Sequence, residues 1–185
     1  MDGTLTKSVH DFAYIRSELG LEPDVPILEA LNAMPVKQAA PLWQRLNEIE
    51  SHFAAKATIM DGSRSLLEKL ASRGARLGIF TRNVMPVVIE TLKACEIDHL
   101  FSLEHIVDRD VATPKPSPEG IHYLLDLWQA DAEDTVMVGD YLYDLQSGKS
   151  AGVTTIHHAG GGDQTWPEYT DIYIRHFSEI EGMVG

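Results

Sequence analysis

The sequence predicts an α/β fold, a Rossmann-like parallel-sheet core interrupted near its start by an all-helical segment. Three observations lead there. Short apolar runs alternate with helical patterns from Thr58 onward. Helix-length segments separate those runs, as right-handed crossovers between parallel strands require. From His10 to about Ala57, in contrast, only helical periodicity is visible.

The helical segment comes first. Phe12, Ile15 and Leu19 fall on one face, then Ile27, Leu28 and Leu31, then Leu42, Leu46, Ile49 and Phe53. Pro23, Pro26, Pro35 and Pro41 are expected mostly where these helices start or stop. Beyond Thr58 the pattern predicts a helix over 63–73, with Leu66, Leu67 and Leu70 inward and Gly74 as its stop. A short buried strand follows at 77–80, a helix at 84–95 and a weak strand at 105–107. Ser117 is the expected N-cap of a helix over 118–128. Strand 135–138, helix 143–151, strands 154–157 and 172–174 and a tail helix near 178–183 complete the alternation. Ligands of such sheets bind beyond the carboxyl ends of the strands. Thr81 and Asp140 each follow an apolar strand directly, so periodicity puts both on one rim.

At 185 residues the chain holds one ordinary domain, or one domain with a small insertion. Its 44% apolar and 23% charged residues are those of a soluble globular protein. The net charge of −13 argues against nucleic acid and membrane as partners, since both demand a basic patch. An anionic substrate stays open, because a few local donors and a metal ion suffice to hold a phosphate. Cys95 is the single cysteine, which rules out an intramolecular disulfide and fits a reducing compartment. Its apolar helical setting gives it a packing role. No charged-then-apolar leader and no long apolar run is visible, so a cytoplasmic location is expected. Gly160, Gly161 and Gly162 read as a flexible surface loop. His10, His52, His99, His105, His122, His157, His158 and His176 are scattered without the paired helical spacing of a zinc site, and read as structural or exposed. Trp43, Trp128 and Trp166 read as packing residues.

Four segments carry candidate chemistry. Asp2, Gly3 and Thr4 open the chain, although an Asp-Gly pair alone is an ordinary turn former. Thr81 closes an apolar strand, where its hydroxyl can donate to a phosphoryl oxygen or simply end the strand. Arg82 and Asn83 carry side-chain donors that can orient a substrate, and Arg82 is equally readable as a solvated surface charge. Lys115 stands between Pro114 and Pro116, with Pro118 beyond. The prolines stiffen that loop, which suits a Lys that must hold a point charge in place. A loop Lys with no such duty is simply solvated. Asp140 ends a buried strand behind Gly139, and Asp144 follows four residues later. Both carboxylates then lie at a helix N-terminus, where the dipole favours them. Hard oxygen ligands of this kind suit Mg²⁺.

In this order the four segments resemble the motifs of the haloacid-dehalogenase-like (HAD) phosphohydrolases. The resemblance spans nearly the whole chain, and four ordered motifs make it specific. That family opens with Asp-x-Asp-Gly-Thr; its second Asp matches Asp2, and its first, the nucleophile, falls one residue before Met1. The resemblance implies a helical cap over 11–57 that covers a core of 1–10 and 58–185. It implies Mg²⁺-dependent hydrolysis of a small-metabolite phosphate monoester through an aspartyl-phosphate, most like the phosphoglycolate-phosphatase branch. Asp2 would protonate the leaving alkoxide and later deprotonate the attacking water. Thr81 and Lys115 would serve catalysis, with Arg82 and Asn83 also binding substrate. Asp140 and the Asp2 carbonyl would hold the metal. Asp144 would join them, directly or through water, or pair with Lys115. Arg16 and Arg45 are the cap residues expected to bear on substrate choice.

Two alternatives remain beside this reading: a phosphoryl mutase of the same family, and a catalytically dead phosphate-binding or regulatory protein. A dehalogenase would need neither the metal nor Asp2. Four buried apolar residues of the family's central strand are worth roughly 6–12 kcal/mol, comparable to the stability of a whole domain. The chain is therefore expected to continue upstream of Met1, and the 185-residue form by itself to be inactive.

Overall fold

The computed structural model describes residues 1–7, 11–160 and 162–181. The expectations on His10, on Gly161 and on the tail helix beyond residue 181 lie outside the described residues. Three helices come first: α1 (Phe12–Leu19), α2 (Ile27–Ala33) and α3 (Val36–Ala54). There follow α4 (Ser63–Ser72), β1 (Ile79–Phe80), α5 (Met85–Ala94), β2 (Ile106–Val107) and α6 (Glu119–Trp128). The chain then forms β3 (Val136–Gly139), α7 (Leu142–Ala151), β4 (Thr154–His158), β5 (Ile172–Ile174) and α8 (Ser178–Glu181).

The first three helices pack around their own small core of Ile15, Leu19, Leu28, Leu31, Leu46 and Ile49. Phe12, expected on the inward face, is 53% exposed. It is the first residue of α1, and helical side chains lean toward the N-terminus, so it overhangs the helix end with no turn to cover. Asp11 caps α1 by accepting the Tyr14 N–H at 2.9 Å. Pro26 and Pro35 sit at the N-caps of α2 and α3, as expected. Pro41 instead lies inside α3. The Lys37 carbonyl it leaves unbonded belongs to an exposed residue, so water can satisfy it.

In the second part, Gly74 ends α4 with φ +80°. Its N–H bonds to Ala71 and that of Ala75 to Leu70, the paired closure that favours glycine after a helix. Helix α6 starts one residue later than predicted: Pro118 is its N-cap, and Ser117 accepts the Glu119 N–H at 3.2 Å from outside. His105 belongs to a 3₁₀ turn rather than to β2. Thr135 likewise closes a 3₁₀ turn before β3.

Every pairing between named strands is parallel: β1 with β2, β3 with β4, and β4 with β5. The sheet is nevertheless in two parts, β1-β2 and β3-β4-β5. Between them lies an apolar groove of about 710 Å³, lined by Ile79 and Phe80 on one side and Val136, Met137 and Val138 on the other. The first strand is short because β2 offers it only Ile106 and Val107, directly after the 3₁₀ turn at Leu103–His105. The N-terminal segment only touches the groove. It folds as a turn in which the N–H groups of Thr4, Leu5 and Thr6 converge on the Met1 carbonyl. Beneath β1 and β2, Ile79, Val88, Leu92, Ile97 and Ile106 form a core that also takes in Cys95. Leu66, Ile156, Ile174 and Phe177 form another under β4 and β5. Thr81 and Asp140 follow the carboxyl ends of β1 and β3, on the same rim.

Candidate active site

Asp2, Thr81, Asn83, Lys115, Asp140 and Asp144 line one pocket of about 390 Å³. Its opposite wall comes from the helical segment, through Ile15, Arg16, Leu28, Leu46 and Glu50 among others. Arg82 lines it as well, so the predicted catalytic, substrate-binding and metal residues share one pocket, whereas of the two cap arginines only Arg16 reaches it.

Each is held by a local reason. Gly3 has φ +77°, and a Cβ there would stand 2.1 Å from Asp140 Oδ2, so only glycine lets the turn approach so closely. Thr4 Oγ1 then donates to Asp140 Oδ1 at 2.7 Å. Asn83 Nδ2 donates to Asp2 Oδ2 at 2.8 Å, so Asn83 holds a site carboxylate. Thr81 is buried, its N–H extends the β1–β2 ladder to Val107 at 2.9 Å, and its Oγ1 accepts the Asn83 N–H at 3.2 Å. Among the described residues its hydroxyl proton has no acceptor. Gly139 makes room for Asp144, whose Cβ would lie 2.1 Å from an added Cβ.

Lys115 is buried, with Nζ donating to Asp144 Oδ1 and lying 5.6 Å from the centre of the Phe80 ring. The other Asp144 oxygen accepts the Tyr141 N–H at 3.1 Å at the start of α7. Burial alone would raise the Asp144 pKa, but the Lys115 charge and its hydrogen bond outweigh it and hold the carboxyl below its ordinary value. Asp140 moves the other way, pushed up by burial and then by the neighbouring Asp144 charge. Burial, the Lys115 charge and their mutual repulsion thus drive the two neighbouring carboxyls apart.

The donors gathered here are all oxygen, the chemistry Mg²⁺ prefers. Among the described residues, however, no group of three or more His, Cys, Asp and Glu side chains gathers as a metal cluster. Both Asp144 oxygens are engaged, by Lys115 and by the Tyr141 N–H, whereas Asp140 has one oxygen bonded to Thr4 and lines the same pocket. The oxygen set fits the ion in kind.

Two arginines tie the helical segment to this floor. Arg82 Nη2 reaches both Glu29 oxygens on α2, at 2.7 and 2.8 Å, while Nη1 donates to the Lys115 carbonyl at 2.7 Å. Its guanidinium also lies 5.1 Å from the centre of the Tyr143 ring. Arg82 is therefore engaged by protein on both sides. Arg109 donates to Glu50 Oε1 at 3.1 Å, to the Arg82 carbonyl at 3.2 Å and to Asn47 Oδ1 at 2.6 Å, and lies 5.1 Å from the centre of the Trp43 ring. Glu50 is 7% exposed, and burial pushes its carboxyl up to about 6 in spite of Arg109. Neither Glu50 nor Arg109 was singled out from sequence. A signal existed for Glu50: it stands four residues after Leu46 and next to Ile49, on the buried stripe of α3, where a carboxylate is out of place. Arg16 lines the pocket and donates from Nε to the Val25 carbonyl at 3.0 Å. Arg45 does not line it; it pairs with Glu18 and Glu48 on the surface. His157 and His158 are buried against aromatic rings, Trp166 and Tyr173 for the first and Phe177 for the second, which fits their structural reading.

A family model described as haloacid dehalogenase-like hydrolase matches residues 4–158. The chain belongs to this family. An uncharacterized hydrolase of Saccharomyces cerevisiae is 27% identical over 191 residues, covering 100% of this chain and 88% of that protein. The pyrophosphatase PpaX of Anoxybacillus flavithermus is 33% identical over 129 residues, covering 69% of this chain and 58% of that protein. The chain thus spans less than two thirds of that relative. Among solved structures, a hydrolase from Pseudomonas syringae superposes with a TM-score of 0.79 at 19% identity, covering 99% of this chain and 94% of the other. CbbY from Rhodobacter sphaeroides, in complex with phosphate, gives 0.76 at 20% identity, covering 97% and 93%. Both share the HAD fold, in agreement with the parallel α/β architecture.

Proposed function

We propose that this site belongs to a Mg²⁺-dependent phosphomonoesterase acting on a small phosphorylated metabolite in the cytoplasm. Residues 11–57 form a cap over a core of 1–10 and 58–185. The observation that carries the proposal is the convergence of Asp2, Thr81, Lys115, Asp140 and Asp144, from four separate segments, on one pocket. The pyrophosphatase relative and the phosphate-bound fold neighbour support phosphoryl chemistry.

After the family's Asp-x-Asp motif, we assign the nucleophile to an aspartate two residues before Asp2. Its carboxylate attacks phosphorus, the bond to the ester oxygen breaks, and Asp2 gives that oxygen its proton. Asp2 then takes a proton from water, whose oxygen attacks the aspartyl-phosphate; inorganic phosphate leaves and the aspartate is restored. Asn83 fixes one Asp2 oxygen and so aims the other. The Thr81 hydroxyl and the Lys115 ammonium hold phosphoryl oxygens, and Asp144 holds Lys115 in place. Asp140 and the Asp2 carbonyl would hold Mg²⁺, which when bound supplies positive charge for the phosphoryl oxygens. Arg82 locks the cap to the Lys115 loop.

The test is phosphate release from a panel of small esters and pyrophosphate, with Mg²⁺ and with EDTA, using protein extended before Met1 by an apolar strand ending in Asp. Release that needs Mg²⁺ and disappears in Asp2→Asn is expected, and negligible release from the 185-residue form. No metal-dependent release from any ester would sink the assignment in favour of a ligand-binding regulator. Isomerised ester in place of free phosphate would make the protein a mutase.

A further inference from the structure

We infer that Glu50 reads the leaving group, accepting a hydrogen bond from a hydroxyl or amino group carried by the alcohol of the phosphate ester. This rests on the phosphatase reading and narrows its substrate class. Glu50 reaches the pocket from α3, on the wall opposite the phosphoryl-binding residues. Its two oxygens differ. Oε1 is fixed by Arg109 at 3.1 Å, whereas Oε2 is buried with no hydrogen-bond partner among the described residues. A buried acceptor left unpaired is costly, so a donor arriving with the ligand gains more here than at a solvated oxygen. The terminal torsion of a glutamate is soft, so a small rotation can turn Oε2 toward a ligand while Oε1 shifts within reach of the Arg109 guanidinium.

The position suits the leaving group. Glu50 feels the charge of Asp2, the residue that protonates the departing oxygen. Its pocket neighbours on the helical segment include Ile15, Leu28 and Leu46, which offer it no donor. The charged residues that this segment contributes to the pocket are Arg16 against Asp24 and Glu50, one cation against two carboxylates. That balance favours a neutral or cationic alcohol over an anionic one. It places phosphorylated polyols and amino alcohols ahead of phosphoglycolate and pyrophosphate, whose leaving groups bring a second negative charge.

Glu50→Gln keeps an amide oxygen for Arg109 but replaces a charged acceptor. In the extended, phosphate-releasing protein, kcat/KM should fall at least tenfold more for glycerol 2-phosphate or O-phosphoethanolamine than for phenyl phosphate, which carries no second donor. Discrimination against pyrophosphate should narrow. Whichever donor-bearing ester falls further assigns the hydroxyl or the amine. Equal falls for all esters would reduce Glu50 to a tether for Arg109 and overturn the inference, as would no fall. Binding gives a readout independent of turnover. The 185-residue chain should prefer glycerol 2-phosphate or O-phosphoethanolamine over phenyl phosphate at least fivefold more strongly than its Glu50→Gln variant does, by titration calorimetry. Equal preferences would overturn the inference even if no ester were hydrolysed.

Discussion

Glu50 should make the protein less stable as pH rises, and neutralising it should stabilise the fold. The folded carboxyl holds its proton up to about pH 6, against 4.5 for an unperturbed glutamate. Between those values the folded state binds more protons than the unfolded chain, so stability falls with rising pH. The contribution is fully present below about pH 4.5 and is lost as pH climbs through about 6. At about 1.4 kcal/mol per pH unit, ionising Glu50 costs about 2 kcal/mol by pH 7.5. Glutamine mimics the protonated acid in shape and charge. Glu50→Gln should therefore be more stable than the parent by about 2 kcal/mol at pH 7.5, or about 4–8 °C in Tm for a chain of this size. At pH 4.5 the two should coincide. Urea unfolding in EDTA at pH 4.5, 5.5 and 7.5 checks this, with both proteins otherwise identical. A competing argument gives the opposite sign: breaking a buried ion pair by removing one partner costs about 3–5 kcal/mol. In the Glu50→Gln variant Arg109 would keep an amide oxygen in place of the carboxylate, together with Asn47 and the Arg82 carbonyl, so it is not stranded. A variant less stable at pH 7.5, or a difference independent of pH, would refute the reasoning.

Lys115→Met leaves Asp144 buried without its cation, and should cost about 3–5 kcal/mol in urea unfolding. In the extended protein it should also cut phosphate release at least about 10²-fold. Gly3→Ala forces a side chain onto φ +77° and against Asp140; a loss of about 1–3 kcal/mol and a weakened response to Mg²⁺ are expected from unfolding and from phosphate release over a metal titration. An apolar strand ending in Asp, added before Met1, should fill the groove between β1 and β3. Four buried side chains give at most about 6–12 kcal/mol, and an unchanged urea midpoint would show that the groove does not take a strand.

The helices were legible because each buries a stripe whose period the sequence displays, as Ile15 with Leu19 and Leu66 with Leu70 show. Strand lengths were not, because a ladder is as long as its partner allows. The apolar run at 77–80 pairs only at Ile79 and Phe80, opposite Ile106 and Val107. Thr81 and Asp140 could be placed on one rim because both follow parallel strands directly. The partners of Arg82 and Asn83 could not. Glu29 and Asp2 lie 53 and 81 residues away, and nothing in local periodicity selects them. The exposed Phe12 and the helical Pro41 failed for a related reason: position within a helix, at its first residue or on its wet side, overrode residue type.

The split sheet and the chemistry are coupled. Thr81 hangs from the β1 half and Asp140 from the β3 half, with no strand ladder among the described residues joining the two. What joins them at the rim is polar: Asn83 to Asp2 from the first half, Thr4 to Asp140 from the second, with the turn at Gly3 between. Lys115 reaches across in the same way, lying over Phe80 of β1 while bonding to Asp144 of α7. Such contacts are directional and depend on charge, whereas apolar packing is neither. Away from the rim an apolar core shared by Phe80, Val107, Val153 and Met137 joins the halves, so the charge state of the site governs only the fine positioning at the rim. Filling the groove would transfer that task to backbone hydrogen bonds and buried side chains. It would also free Asp2, Asp140 and Lys115 to respond to the substrate.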